Sequence, residues 1–142
     1  MYEEKINAYF DAPERRAELV EAISRLVRIR SVREEPLPGM PFGPGPAAAL
    51  AEGLKLAEEL GFATRNYDNY VGTADLNDKE TALHILCHLD VVGEGTGWTV
   101  TEPYAPKEVD GMLYGRGTDD DKGPVAAVLL AMKAVKELGV PL

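Results

Sequence analysis

The sequence predicts an α/β fold, a mixed sheet flanked by helices. Two observations lead there. Stretches with apolar residues at helical spacing alternate with short runs rich in β-branched and aromatic residues, starting with two helices and closing with one. Between them lies Thr81–Val92 (TALHILCHLDVV), an apolar run of the kind a sheet buries at its centre. A chain of 142 residues buries roughly 70% of its unfolded surface, so a real core is possible.

The elements follow in order. Residues 13–30 read as an amphipathic helix, with Asp11 as a cap, Pro13 near the first turn, and Leu19, Ile23, Leu26 and Val27 at helical spacing. Residues 36–46 (PLPGMPFGPGP) hold five of the ten prolines and read as an irregular loop. A second helix covers roughly 46–60, opened by Pro46 and stopped by Gly61, with Leu50, Leu54, Ala57 and Leu60 inward. Phe62–Tyr67 and Tyr70–Leu76 flank Asp68-Asn69 and read as a hairpin. The apolar run Thr81–Val92 follows as the central strand, with His84 packed in its middle and Cys87 as a small buried hydrophobe. A glycine-rich loop (GEGTGW), an irregular stretch and a short strand Gly111–Tyr114 come next. The last helix runs from about Gly123 to Leu138.

Composition excludes several classes. Fifteen Lys+Arg against 24 Asp+Glu give a net charge of −9, the wrong sign for nucleic acid or an anionic membrane. The acidity reads either as solubility or as attraction of metal cations. A single cysteine rules out a disulfide framework and a cysteine-based zinc site. No apolar run reaches the ~20 residues of a membrane helix, and MYEEKINAYF carries acids where a secretory signal carries basic residues. The expectation is a soluble, cytoplasmic protein.

Two clusters carry candidate chemistry. His88 closes the apolar run, at the end where open α/β sheets place ligands, and Asp90 follows on the same face. Such a carboxylate can accept the second ring N–H of a metal-bound histidine. The other cluster is GRGTDDDKGP, Gly115 to Pro124, three aspartates between a strand and a helix start. Capping accounts for one of them and leaves two. An EF-hand register fails: Gly123 at position 6 puts Lys122 at 5 and Leu129 at 12. No phosphate-cradling G-x-x-x-x-G-K-[ST] occurs. Histidine at one strand end and acids after a neighbouring strand fit a mixed N/O metal site for zinc, manganese or cobalt.

HLDVV, GTGW and DGMLYGRGTDDDKGP together resemble the dinuclear zinc hydrolases that include aminoacylases, glutamate carboxypeptidases and dipeptidases. GRGTDDDKGP with GEGTGW upstream looks most like the PepV-type dipeptidases and carnosinase-like enzymes. The resemblance implies roles residue by residue. His88 is a ligand of one metal, Asp90 orients it without ligating, and Asp120 bridges two zinc ions, with Asp119 left unassigned. It also implies a cis peptide at Asp120–Asp121 and hydrolysis of a small peptide's amide bond by metal-activated water.

The same resemblance places the general-base glutamate on a strand after the last helix, with further ligands and a lid domain beyond it. Residues 1–142 therefore read as the N-terminal part of a catalytic domain, expected to hold zinc poorly and to hydrolyse little alone. Glu94 does not read as a substitute base. An unpaired sheet edge is expected to drive self-association. The competing readings are a non-catalytic domain binding Ca²⁺ or Mg²⁺ through Asp119–Asp121, and a module completed by another chain.

Overall fold

Four helices and two hairpins make up the computed structural model, which describes residues 2–141. The helices are α1 (Tyr2–Phe10), α2 (Pro13–Val27), α3 (Pro44–Glu59) and α4 (Lys122–Glu137). The strands are β1 (Ala63–Tyr67), β2 (Val71–Asp75), β3 (Lys107–Val109) and β4 (Met112–Tyr114). The α/β class stands.

The core lies between α2, α3 and α4, where Ala22, Leu26, Leu56, Ala57, Ala126 and Leu129 meet Phe62. Leu26 is fully buried, and burial of such a side chain contributes about 1.5–3 kcal/mol. In α3 the apolar residues divide between two surfaces. Ala49, Leu56 and Ala57 are buried, while Leu50 and Leu54 lie against Gly72 of the first hairpin. The expected inward set of Leu50, Leu54, Ala57 and Leu60 therefore mixes two faces, because this helix is covered on both sides.

Element boundaries moved for local reasons. The cap of α2 is Ala12 and not Asp11, with Pro13 opening the helix. Proline is tolerated in a first turn, so α3 begins at Pro44, inside the segment read as loop 36–46. In β1–β2 the turn residues Asp68 and Asn69 take φ of 52° and 58°, and Tyr70 N–H donates to Tyr67 O at 3.0 Å. Both central residues at positive φ is the primed turn that suits hairpin twist. The second hairpin uses the same device at Asp110 (φ 51°) and Gly111 (φ 80°), pairing Val109 with Met112. Strand β3 and helix α1 lie where the sequence had suggested no regular element.

The central strand is the main correction. Residues 81–92 form no strand, and their one ladder contact is a parallel bridge from Val91 to Val32. Ser31 anchors that crossing: its Oγ donates to Leu89 O at 2.6 Å and its carbonyl accepts from Val91 N–H at 3.1 Å. Apolarity makes a segment suited to a sheet's centre, but pairing needs neighbours on both edges, and the described residues supply only this bridge. Leu83 and Leu86 are 74% and 93% exposed, and His84 is exposed instead of packed. Cys87 is half-buried. The sheet content is two separate antiparallel pairs.

Candidate active site

Two loops meet over the N-terminus of α4. One is the end of the 81–92 run and the other is Gly115–Asp121. They are stitched by a backbone bond, His88 N–H donating to Asp121 Oδ2 at 2.9 Å. That bond explains why Asp121, although it stands at the N-cap position of α4, makes no side-chain cap. Its carboxylate is committed to the other loop. The Asp120–Asp121 peptide is cis, as the resemblance implied.

The stitch brings together the three residues singled out from the sequence. His88 Nε2 lies 3.0 Å from Asp120 Oδ1. Its Nδ1 lies 3.1 Å from the Asp90 carbonyl oxygen and 3.3 Å from Asp90 Oδ1. A carbonyl only accepts, so Nδ1 carries a proton and donates. Nε2 then faces a carboxylate either as an N–H donor, in imidazolium, or as a lone pair. Burial pulls the His88 pKa down, but the Asp90 carbonyl and the carboxylates of Asp90, Asp120 and Asp121 outweigh it and leave it raised. Without a cation between them, a second proton on the ring satisfies the Nε2–Asp120 pair.

A cleft of about 270 Å³ opens here, lined by His88, Asp90, Val91, Val92 and residues 115–120. Asp119 lines it too, with no ligand role assigned. Below the cleft, Lys122 is fully buried and its Nζ donates to Ile29 O at 2.6 Å, tying this loop to the end of α2. Burial pushes the ammonium down to about 8.

The glycine-rich loop forms the next wall. Glu94 accepts from Arg30 Nε at 2.5 Å and from Tyr104 OH at 3.0 Å. Its carbonyl accepts from Trp98 Nε1 at 2.8 Å and from Arg116 Nη2 at 3.0 Å. The hydrogen bond from Arg30, with that from Tyr104, holds the Glu94 carboxyl down to about 2. A carboxylate so engaged is a tether for the loop and a poor proton acceptor, in keeping with its dismissal as a base. Sequence reasoning missed Arg116. Its position inside G-R-G carried no signal, because its partners Glu94 and Trp98 are distant in sequence.

Nitrogen and oxygen ligands about 2.0–2.1 Å from a tetrahedral ion lie roughly 3.3 Å apart. The observed 3.0 Å between His88 Nε2 and Asp120 Oδ1 suits two donors aimed at one point. The fit is partial, since no group of three or more His, Cys, Asp or Glu positioned for a metal occurs among the described residues.

Comparison with known proteins follows the same residues. The sequence profile of Peptidase family M20/M25/M40 matches residues 84–142, which span both loops and α4. A Bacillus subtilis protein named "Putative dipeptidase YtjP" is 38% identical over 130 residues, covering 90% of this chain and 28% of that protein. A similarly named Staphylococcus saprophyticus protein is 37% identical over 99% of this chain and 29% of its own length. The crystal structure of human carnosine dipeptidase 1 superposes with a TM-score of 0.70 at 28% identity, over 98% of this chain and 32% of that one. Residues 84–142 therefore carry the M20 peptidase family's sequence pattern. The chain spans under a third of the length of these relatives. No helix among the described residues is long and apolar enough to cross a membrane.

Proposed function

We propose that this chain is part of an M20 peptidase and contributes to the metal-dependent hydrolysis of the amide bond of dipeptides. The observation that carries the reading is the convergence of His88 Nε2 and Asp120 Oδ1 at 3.0 Å with Asp90 fixed on the other ring nitrogen. His88 and Asp120 would hold zinc, or manganese or cobalt in its place, with Asp120 bridging two ions. When bound, the metal supplies Lewis acidity toward the scissile carbonyl and toward water.

The chain's own residues prepare that site. Asp90 accepts the hydrogen bond from Nδ1–H, which keeps the proton on that nitrogen and leaves the Nε2 lone pair for a cation. Asp121 holds the two loops in register, and Lys122 ties the aspartate loop to the end of α2. The names of the relatives support dipeptides as the substrate class. No described residue supports a general-base role, and two ligands fall short of the three a catalytic zinc takes. These 142 residues alone are therefore expected to bind zinc weakly and to turn over little or no dipeptide.

The single cysteine supports a reducing, cytoplasmic setting, and the charge of −9 supports small peptides over nucleic acid as partners. Exposed Leu83, Ile85, Leu86 and Val92 support self-association, which sedimentation would read as a concentration-dependent mass. Binding of Ca²⁺ or Mg²⁺ by three aspartates has no comparable support, since Asp121 is committed to His88.

Zinc titration by calorimetry tests the reading. The expected result is weak zinc binding, reduced at least tenfold in His88→Ala and in Asp120→Asn, with calcium failing to compete. Tight binding of two ions, or zinc binding indifferent to His88, would sink it.

A further inference from the structure

The second hairpin carries the chain's one Asp-Gly pair, Asp110-Gly111, and the sequence has no Asn-Gly. Both residues are exposed, and a Cβ built on Gly111 would meet nothing within 4 Å. Among the described residues no hydrogen bond or ion pair engages the Asp110 carboxylate or the Gly111 N–H. The electrophile and the nucleophile of a five-membered ring closure therefore stand next to each other, unscreened. Glycine has no side chain to shield its nitrogen.

The folded turn keeps that ring from closing. Asp110 and Gly111 take φ of 51° and 80°, the primed turn, and closure requires the peptide between them to rotate out of it. Little resists the rotation. Strands β3 and β4 have three residues each, pair with one another alone, and contain no buried residue. An isolated two-stranded hairpin is marginal in water, and such elements open locally at small cost. A clasp comes from Arg16 of α2, whose Nη2 donates to Glu108 Oε1 at 2.7 Å and to Gly111 O at 3.4 Å. One guanidinium thus holds both sides of the turn.

We propose that Asp110 is a site of spontaneous isoaspartate formation, with Arg16 as its brake. The Gly111 amide nitrogen attacks Asp110 Cγ. An N–Cγ bond forms, the Cγ–O bond of the carboxylic acid breaks, and its hydroxyl leaves with the amide proton as water, giving a cyclic imide. Solvent water then adds to the Asp110 main-chain carbonyl carbon and breaks its bond to the Gly111 nitrogen. One water is lost and one gained, with no oxidant or other reactant. The main chain now runs through Cβ and Cγ, one methylene longer, and the carboxylate sits on Cα. Turn length sets hairpin register, so the pairing of Val109 with Met112 is lost in the product.

Mass spectrometry on the full chain tests this. The protein would be held at 37 °C and pH 6 in H₂¹⁸O, folded or in urea, then digested in ordinary water with trypsin, which releases Glu108–Arg116. That peptide should gain ¹⁸O and show isoaspartate fragment ions, at least tenfold more than any peptide carrying other aspartates. Asp110→Glu, which needs a six-membered ring, should take up none. A surface ion pair is weak, so Arg16→Ala should speed the folded reaction about two- to fivefold, and Arg16→Lys should stay near wild type. In urea, where no variant keeps the clasp, wild type and Arg16→Ala should react alike. A folded chain free of isoaspartate at Asp110 while the urea sample converts would overturn the site, as would equal labelling of Asp110→Glu. Equal rates for folded wild type and Arg16→Ala, or a difference that persists in urea, would overturn the brake.

Discussion

Gly123→Ala tests whether the meeting of α4 with the aspartate loop positions the candidate site. A Cβ built on Gly123 would sit 2.0 Å from the Thr118 carbonyl oxygen and 3.1 Å from its carbonyl carbon. Real Cβ atoms almost never approach within 3.0 Å, so backbone must move by about 1 Å, and no flexible side-chain end can give way. The carbonyl cannot simply recede. Gly123 N–H and Lys122 N–H both donate to Gly117 O, at 3.3 and 3.1 Å, locking the helix start to the same loop.

Overpacking of this kind costs typically 1–3 kcal/mol, and a backbone clash this close belongs at the upper end. For a chain of this size 1 kcal/mol corresponds to roughly 3–4 °C, so Tm should fall by about 10 °C. Differential scanning calorimetry would measure it, with Gly93→Ala as the control, because nothing lies within 4 Å of a Cβ there. The control should stay within about 0.5 kcal/mol of wild type. The displaced loop carries Asp119 and Asp120, so zinc affinity in folded Gly123→Ala should fall as well. A Tm within 2 °C of wild type, or a control that falls equally, would refute the packing argument.

Other expectations follow from the same contacts. Burial depresses the Lys122 ammonium to about 8 in the folded chain, below its ordinary 10.5, so the unfolded chain binds more protons between those values. Stability of the metal-free chain should accordingly rise from pH 8 to pH 10, read by urea denaturation, and Lys122→Met should flatten that rise. Glu94→Gln removes the ion pair to Arg30 that tethers the glycine-rich loop, so Trp98 emission should shift to the red and proteolysis near Gly95 and Gly97 should quicken; an unchanged spectrum would mean that the backbone bonds to Glu94 suffice. Gly111→Ala places a side chain at φ 80° in the second hairpin and should cost about 1 kcal/mol in the same denaturation assay, with no effect on zinc.

Much of the site was legible because it is written in short motifs. His88 and Asp90 are two residues apart, and a backbone that keeps them on one side suffices to bring Asp90 onto the ring. The three aspartates precede a helix start that Gly123 and Pro124 announce. The first hairpin was equally local: Asp68-Asn69 favours the positive φ that its turn requires. Asp110-Gly111 carries the same signal, and reading it would have supplied β3 as the partner of β4.

What the sequence by itself determined, then, is what neighbouring residues settle among themselves: helix periods, turn chemistry, the His88–Asp90 pair and the acidity of the second loop. Tertiary structure alone decided the rest. It turned Asp121 from a cap into the stitch on His88, because a carboxylate goes to whichever N–H the packing brings within reach. It left the apolar run 81–92 outside any sheet, because a strand exists only where a partner offers hydrogen bonds, and among the described residues the run has only the isolated bridge to Val32, bonded through Ser31. It also set Arg116 against Trp98 and the carbonyl of Glu94, a neighbourhood of residues far apart in the chain that no periodicity encodes.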